Sequence, residues 1–197
     1  MNVPKEIERK WLCDKETIPF DLTLYPCKKI KQSYISFSPT VRLRSENGER
    51  FILCIKTKPK NESLVRDEYE TELTKEEYEN LLRKAEGNMI EKTRYFVPEG
   101  KFTMEIDVFE GDLEGLCYME IEFEDEREAL AYKNPDWVIK DVTKDKQYTN
   151  ASLAKYGTGD CKKLVLQSPE FYLVVGISFK YFRRIFCEKP LFSIISL

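Results

Sequence analysis

Along most of the chain, apolar and charged residues alternate with a period of two. Ile7 and Trp11 interleave with Glu6, Glu8 and Lys10, and Val41 and Leu43 with Arg42 and Arg44. Met104, Ile106 and Val108 flank Glu105 and Asp107, and Met119, Ile121 and Phe123 alternate with Glu120, Glu122 and Glu124. Successive side chains of a strand point to opposite faces, so this period predicts strands with one apolar and one charged face. Strands are expected over residues 6–12, 30–37, 40–45, 49–57, 64–73, 93–97, 102–109 and 118–124. Turns are expected at Ser38-Pro39, Asn47-Gly48 and Glu99-Gly100. Thr74-Lys75-Glu76-Glu77 reads as a capping box opening a helix whose apolar face carries Tyr78, Leu81 and Leu82. Two further helices are expected over 125–132 and 150–155.

Many strands and few helices predict an α+β chain that is mainly antiparallel β. A sheet with this many strands must close or cover its edges. The expectation is an eight-stranded closed β-barrel with flanking helices, formed by residues 1–157. Residues 158–197 differ in character and are taken as a C-terminal extension. Residues 164–197 are rich in Leu, Val, Ile and Phe, and their longest apolar run, 171–179, falls short of the ~20 residues that span a bilayer. An added helix or strand on the core and a lack of order both remain open for this extension.

Composition narrows the chemistry. Charged residues make up 34% of the 197, yet the net charge is only −3. Neither a nucleic-acid nor a membrane partner is expected from such a balance. The chain has no histidine, which removes His-ligated zinc, histidine acid–base catalysis and Ser-His-Asp triads. A metal would have to be held by carboxylates, which favours Mg²⁺, Mn²⁺ or Ca²⁺. Six scattered cysteines without a CxxC argue against a zinc site or a disulfide scaffold, and the charged N-terminus shows no signal peptide. A cytoplasmic setting with free thiols is expected.

In an ordinary half-buried sheet the charged face is solvated. Here the stripes are built from Arg, Lys and Glu strand after strand, with little Ser, Thr or Gln among them. A closed barrel with a charged interior accounts for this better. Enclosed charge is costly unless countered, and a polyphosphate with a divalent metal would counter it. Guanidinium forks and ammonium groups bind phosphate oxygens, and carboxylates bind the metal.

Glu6-Ile-Glu-Arg-Lys10 resembles the N-terminal signature of the CYTH superfamily, the triphosphate tunnel metalloenzymes. Further matches follow in order: Gln32-Ser-Tyr34, Val41-Arg-Leu-Arg44, Ile55-Lys56, Arg66-Asp-Glu-Tyr-Glu70 and Glu91-Lys-Thr-Arg94. Glu105-Ile-Asp107, Glu120-Ile-Glu122 and Val142-Thr-Lys-Asp-Lys-Gln-Tyr148 complete a resemblance over about residues 3–157. It implies an eight-stranded tunnel that binds a small-molecule triphosphate with Mg²⁺ or Mn²⁺. By the same resemblance Glu6, Glu8, Glu120 and Glu122 hold the metal, with Glu105 and Asp107 nearby. Lys10, Arg42, Arg44, Lys56, Lys92 and Arg94 grip phosphate. Arg66, Glu68 and Glu70 either contact ligand or pair across the wall. Tyr34 is implied as the proton acceptor, with Lys92 lowering its pKa; a packing or phosphate-contacting hydroxyl is the other reading. Lys144 or Lys146 is implied to close one mouth. A homodimer is left open.

The expected function is metal-dependent hydrolysis of a triphosphate, with inorganic triphosphate as the leading substrate because no base-binding pocket is suggested. Thiamine triphosphate hydrolysis and cyclisation of ATP, as in class IV adenylate cyclases, are the enzymatic rivals. A polyphosphate or nucleotide sensor is the non-enzymatic one.

Overall fold

The computed structural model describes the backbone of residues 5–56 and 65–157, and the side chains of 7–56 and 67–157. The expected extension over 158–197 lies outside the described residues. Nine strands follow in order: β1 (Lys5–Cys13), β2 (Cys27–Phe37), β3 (Thr40–Glu46), β4 (Arg50–Lys56), β5 (Val65–Leu73), β6 (Glu86–Glu99), β7 (Phe102–Phe109), β8 (Cys117–Glu122) and β9 (Lys140–Asp141). Three α-helices accompany them among the described residues: α1 (Lys75–Leu82), α2 (Glu126–Ala131) and α3 (Asn150–Tyr156). Among the described residues no helix is long and apolar enough to cross a membrane.

All nine strands belong to one antiparallel sheet in the order β5-β4-β3-β2-β6-β7-β8-β1-β9. This corrects the expectation of an eight-stranded closed barrel. Among the described residues β1 and β5 meet over three pairs at one end of β1, Lys5↔Asp67, Glu6↔Arg66 and Ile7↔Val65. The same strand gives its later residues to β9, through Trp11↔Asp141 and Leu12↔Lys140. A two-residue strand was not legible in the sequence because it has no room for a period.

The turn chemistry behaves as expected. Asn47 and Gly48 both take positive φ, 53° and 73°, which lets the short turn 47–49 follow the twist between β3 and β4. Thr74 and Glu77 exchange the reciprocal hydrogen bonds of a capping box. Behind that cap, Tyr78 of α1 packs its ring 4.8 Å from Phe51 of β4. β6 runs far longer than the expected 93–97. Its first residues, Glu86-Gly-Asn-Met, carry no alternation, but they lie against β2 through Tyr34↔Glu86 and Gln32↔Ile90. Gly87 sits here at φ +72°, and a Cβ on it would lie 2.6 Å from the carbonyl oxygen of Ala154. Only glycine lets α3 come this close to β6.

The two faces of the sheet are packed differently. On one, Ile7, Trp11, Met104, Ile106, Met119, Ile121 and Phe123 join Ala129 of α2 in an apolar layer. Arg9 fastens this layer. Its guanidinium donates to the carbonyls of Ala129 and Tyr132, to Asn134 Oδ1, and to Asp141 at 2.5 Å. Burial opposes the charge on Asp141, but the bonds from Arg9 and Thr143 outweigh it and lower its pKa below 3.8. A group depressed in the folded state stabilises above its unfolded pKa, and the benefit is lost as pH falls through the folded value. Arg9→Ala should therefore cost about 2–4 kcal/mol in urea unfolding at pH 7, since several charge-assisted bonds to buried carbonyls go at once. Asp141→Asn should cost less at pH 7, and its cost should fade as the solution is acidified through and below the usual carboxylate range; a cost independent of pH would contradict this role.

Candidate active site

On the other face the register brings the charged stripes together. Directly paired residues of antiparallel strands share a face. Lys56 lies opposite Glu68, and Cys54 opposite both Arg42 and Glu70. Tyr34 lies opposite Arg42, and Gln32 opposite Arg44. Arg94 is opposite Asp107, Glu105 opposite Glu120, Lys10 opposite Glu120, and Glu8 opposite Glu122. The described side chains among the expected site residues therefore share one face of the sheet from β5 to β1. The sheet curls enough that the charge of Lys10 on β1 acts on Tyr34 of β2, four strands away in the sheet order.

Two clusters divide this face. In the first, Lys10 Nζ lies 2.7 Å from Glu120 Oε1 and 3.5 Å from Glu8. Arg94 donates to both oxygens of Asp107 at 2.7 Å, to Glu120 at 2.5 Å and to Glu105. Lys92, 1% exposed, pairs with Asp107, 0% exposed. Four carboxylates thus face three cations. Burial raises the Glu105 pKa to about 7; Arg94 opposes this, while Glu120, Asp107 and Glu8 add to it. Burial also works against the charge on Glu120, yet Lys10, Arg94 and Lys92 hold it well below the usual carboxylate range.

In the second cluster, Arg42, Arg44 and Lys56 share Glu68 and Glu70. Arg42 lies 3.2 Å from Glu68 and 3.4 Å from Glu70, Arg44 3.0 Å from Glu70, and Lys56 3.0 Å from Glu68. Cys54 donates its thiol to Glu68 at 2.8 Å. With Glu46, which takes Arg44 and Lys28, four cations face three carboxylates, so this side carries the opposite excess.

Tyr34 lies between the clusters, fully buried, stacked on Phe37 at 5.3 Å and 3.4 Å from the amide nitrogen of Gln32. Burial pushes its pKa up to about 12 against the pull of Arg42 and Lys10. Lys92 is turned to Asp107, and burial, aided by Arg94, lowers its pKa against the opposing charges of Asp107 and Glu120. The side chains of Glu6 and Arg66 lie outside the described residues. Glu122 sits on the ionic face at an exposed position.

The ionic face is not polar throughout. The inward stripes end in Leu12, Ile90, Phe109 and Tyr118, which pack with Val142, Tyr148, and Leu153 and Ala154 of α3. The 140–156 segment therefore covers that end with apolar side chains. Lys144 and Lys146, expected to close a mouth, are exposed. The sequence reading missed Cys54, Glu46 and Lys28. Glu46 is buried and takes Lys28 at 2.9 Å and Arg44 at 3.3 Å. Counting two positions onward from Arg44 would have found Glu46, and two back from Lys56 would have found Cys54.

Two groups of acidic residues are candidates for a divalent cation. Cys54, Glu68 and Glu70 lie within ligand reach of one another. Burial pushes the Cys54 thiol up to about 12, and Arg42 and Lys56 occupy the carboxylates, so this group fits a cation poorly. Glu8, Glu105 and Glu120 fit better. They supply only oxygen, and burial raises Glu105 with Glu120, Asp107 and Glu8 adding to it, though their oxygens do not all lie within ligand reach of one another and Lys10 holds Glu120 at 2.7 Å.

A family model described as the CYTH domain matches residues 4–152. Chains similar to this one include the inorganic triphosphatase of Nitrosomonas europaea, 38% identical over 76% of this chain and 96% of that protein. The inorganic triphosphatase of Acetivibrio thermocellus is 34% identical over 77% of this chain and 94% of its own. The crystal structure of the inorganic triphosphatase NE1496 superposes with a TM-score of 0.55 at 31% identity, covering 76% of this chain and 93% of that one. This chain belongs to the CYTH domain family.

Asp107 has both oxygens engaged by Lys92 and Arg94, which makes it the counter-ion of the enclosed cations. Asp107→Ala should destabilise the protein by about 3–5 kcal/mol, because it strands buried charge. Adding Lys92→Met should recover part of that loss in a double-mutant cycle, and simple additivity of the two would contradict the pairing.

Proposed function

We propose that the chain hydrolyses inorganic triphosphate with Mg²⁺ or Mn²⁺ on its ionic face. The observation that carries this reading is the division of that face into a carboxylate-rich side and a cation-rich side on one curled sheet. The activity of the two curated relatives, similar over most of their length, supports it.

In this reading Glu8, Glu105 and Glu120 hold the cation, with Glu6 and Glu122 from the ends of the same stripes and Asp107 behind them. Bound there, the cation would neutralise phosphate oxygens and polarise the scissile bond. Arg42, Arg44 and Lys56 take the phosphates, exchanging Glu68 and Glu70 for phosphate oxygens; Lys10, Arg66 and Arg94 complete the grip. Phosphoryl transfer depends on positioning and charge neutralisation, and these fixed cations provide both. Tyr34 and Lys92 face the reacting phosphate. Water attacks in line, and its proton passes to Tyr34 or to Lys92, whose lowered pKa eases the loss of its own proton. Tyr34 needs the cations beside it to act as a base, since burial holds its proton firmly. A cytoplasmic setting is part of the proposal, supported by the free thiols of Cys13, Cys27, Cys54 and Cys117.

Phosphate release from inorganic triphosphate, thiamine triphosphate, ATP and long polyphosphate, each with and without metal, tests the reading. Metal-stimulated release should be greatest for inorganic triphosphate. Glu8→Gln and Glu120→Gln should each lower it by about 10²-fold or more, and Mn²⁺ binding followed by electron paramagnetic resonance should weaken in parallel. Full turnover in both variants would remove the metal assignment.

A further inference from the structure

The outer face of β3, β4 and β5 carries an apolar row that the described helices leave uncovered. Val41, Ile55 and Tyr69 lie directly opposite one another across the three strands. They alternate with Arg42, Cys54, Lys56, Glu68 and Glu70, whose side chains occupy the ionic face, so they point the other way. Ile55 is 37% exposed and Tyr69 48%. Neither belongs to the apolar clusters of the described residues. α1 packs farther along these strands, where Tyr78 meets Phe51.

We infer that the C-terminal segment of this same chain, residues 164–197, docks on this row. Three observations select that occupant. The segment is rich in Leu, Val, Ile and Phe, with its longest apolar run at 171–179, and an apolar row on a sheet gains from such a partner. The chain also leaves α3 at the matching end of the sheet. Lys155 lies 5.6 Å over the ring of Phe37, and Phe37 pairs with Thr40, the residue before Val41. The distance is short enough as well. Because α3 packs on the ionic side, the chain must pass round the strand end to the other face, ~10 Å, and move one strand spacing, ~5 Å, to reach Val41, and the six residues 158–163 can span up to ~20 Å. The segment would lie on the face opposite the catalytic side chains and leave them unobstructed.

Amide hydrogen exchange on the full-length protein tests this, with limited proteolysis and mass measurement in solution alongside. Ile55→Thr/Tyr69→Thr keeps β-compatible side chains, and Val174→Asp changes only the extension. Docking predicts that residues 164–197 are protected in the unsubstituted protein. Both variants should raise exchange and proteolytic cleavage in 164–197 by tenfold or more. Val174→Asp should also speed exchange at Ile55 and Tyr69 while triphosphate turnover is unchanged. Three results would overturn the proposal: an extension cleaved equally fast in all three proteins; Val174→Asp without effect on β4 and β5; or a dimer that dissociates on Ile55→Thr/Tyr69→Thr while the extension stays as it was, which would assign the row to a second copy. Loss of triphosphatase activity in the unsubstituted protein would bear on the active-site reading alone.

Discussion

Charge held away from water has to be met by opposite charge, and that constraint organises this molecule. Arg94 shows it most directly. One guanidinium reaches Glu105, Asp107 and Glu120 on two neighbouring strands, with Lys92 and Lys10 sharing the same acceptors. The antiparallel register makes these meetings possible, because it sets each basic stripe beside an acidic one. Without that register the cluster would strand several ionised groups in a poorly solvated space, at several kcal/mol each.

The same compensation prepares the face for a ligand. In the proposed function Glu68 and Glu70, which now pair with Arg42, Arg44 and Lys56, give way to phosphate oxygens. Lys10 and Arg94 partly neutralise Glu120, while burial, with the neighbouring carboxylates adding to it, pushes Glu105 toward protonation. An excess of negative charge on one side and of positive charge on the other suits a cation bridged to a polyanion. The apolar cluster built on Leu12, Phe109, Tyr118 and α3 bounds this region, and Gly87 allows α3 to sit there.

Much of this was legible in the sequence, because a period of two reports both strand and face. Stripes such as Glu105–Asp107 and Arg42–Arg44 needed no tertiary knowledge to assign, and the capping box at Thr74 announced α1. The sequence did not reveal how the strands meet. Nothing local to β1 says that Lys5–Ile7 meets β5 while Trp11 and Leu12 meet Lys140–Asp141 on the same edge. The start of β6 was hidden for the opposite reason: Gly87 and Asn88 read as loop, and only the partner strand and α3 make them sheet. Individual pairings also escaped, since the choice of Lys92 for Asp107 over Tyr34 depends on side chains from several strands.

The central claim is that the two sides of one face act together on a triphosphate. It is tested most directly by anomalous diffraction from crystals holding Mn²⁺ and a non-hydrolysable imidotriphosphate. The account predicts manganese among Glu8, Glu105 and Glu120, with the phosphates against Arg42, Arg44 and Lys56. Manganese at exposed carboxylates elsewhere, with the analogue on the opposite face of the sheet, would contradict it.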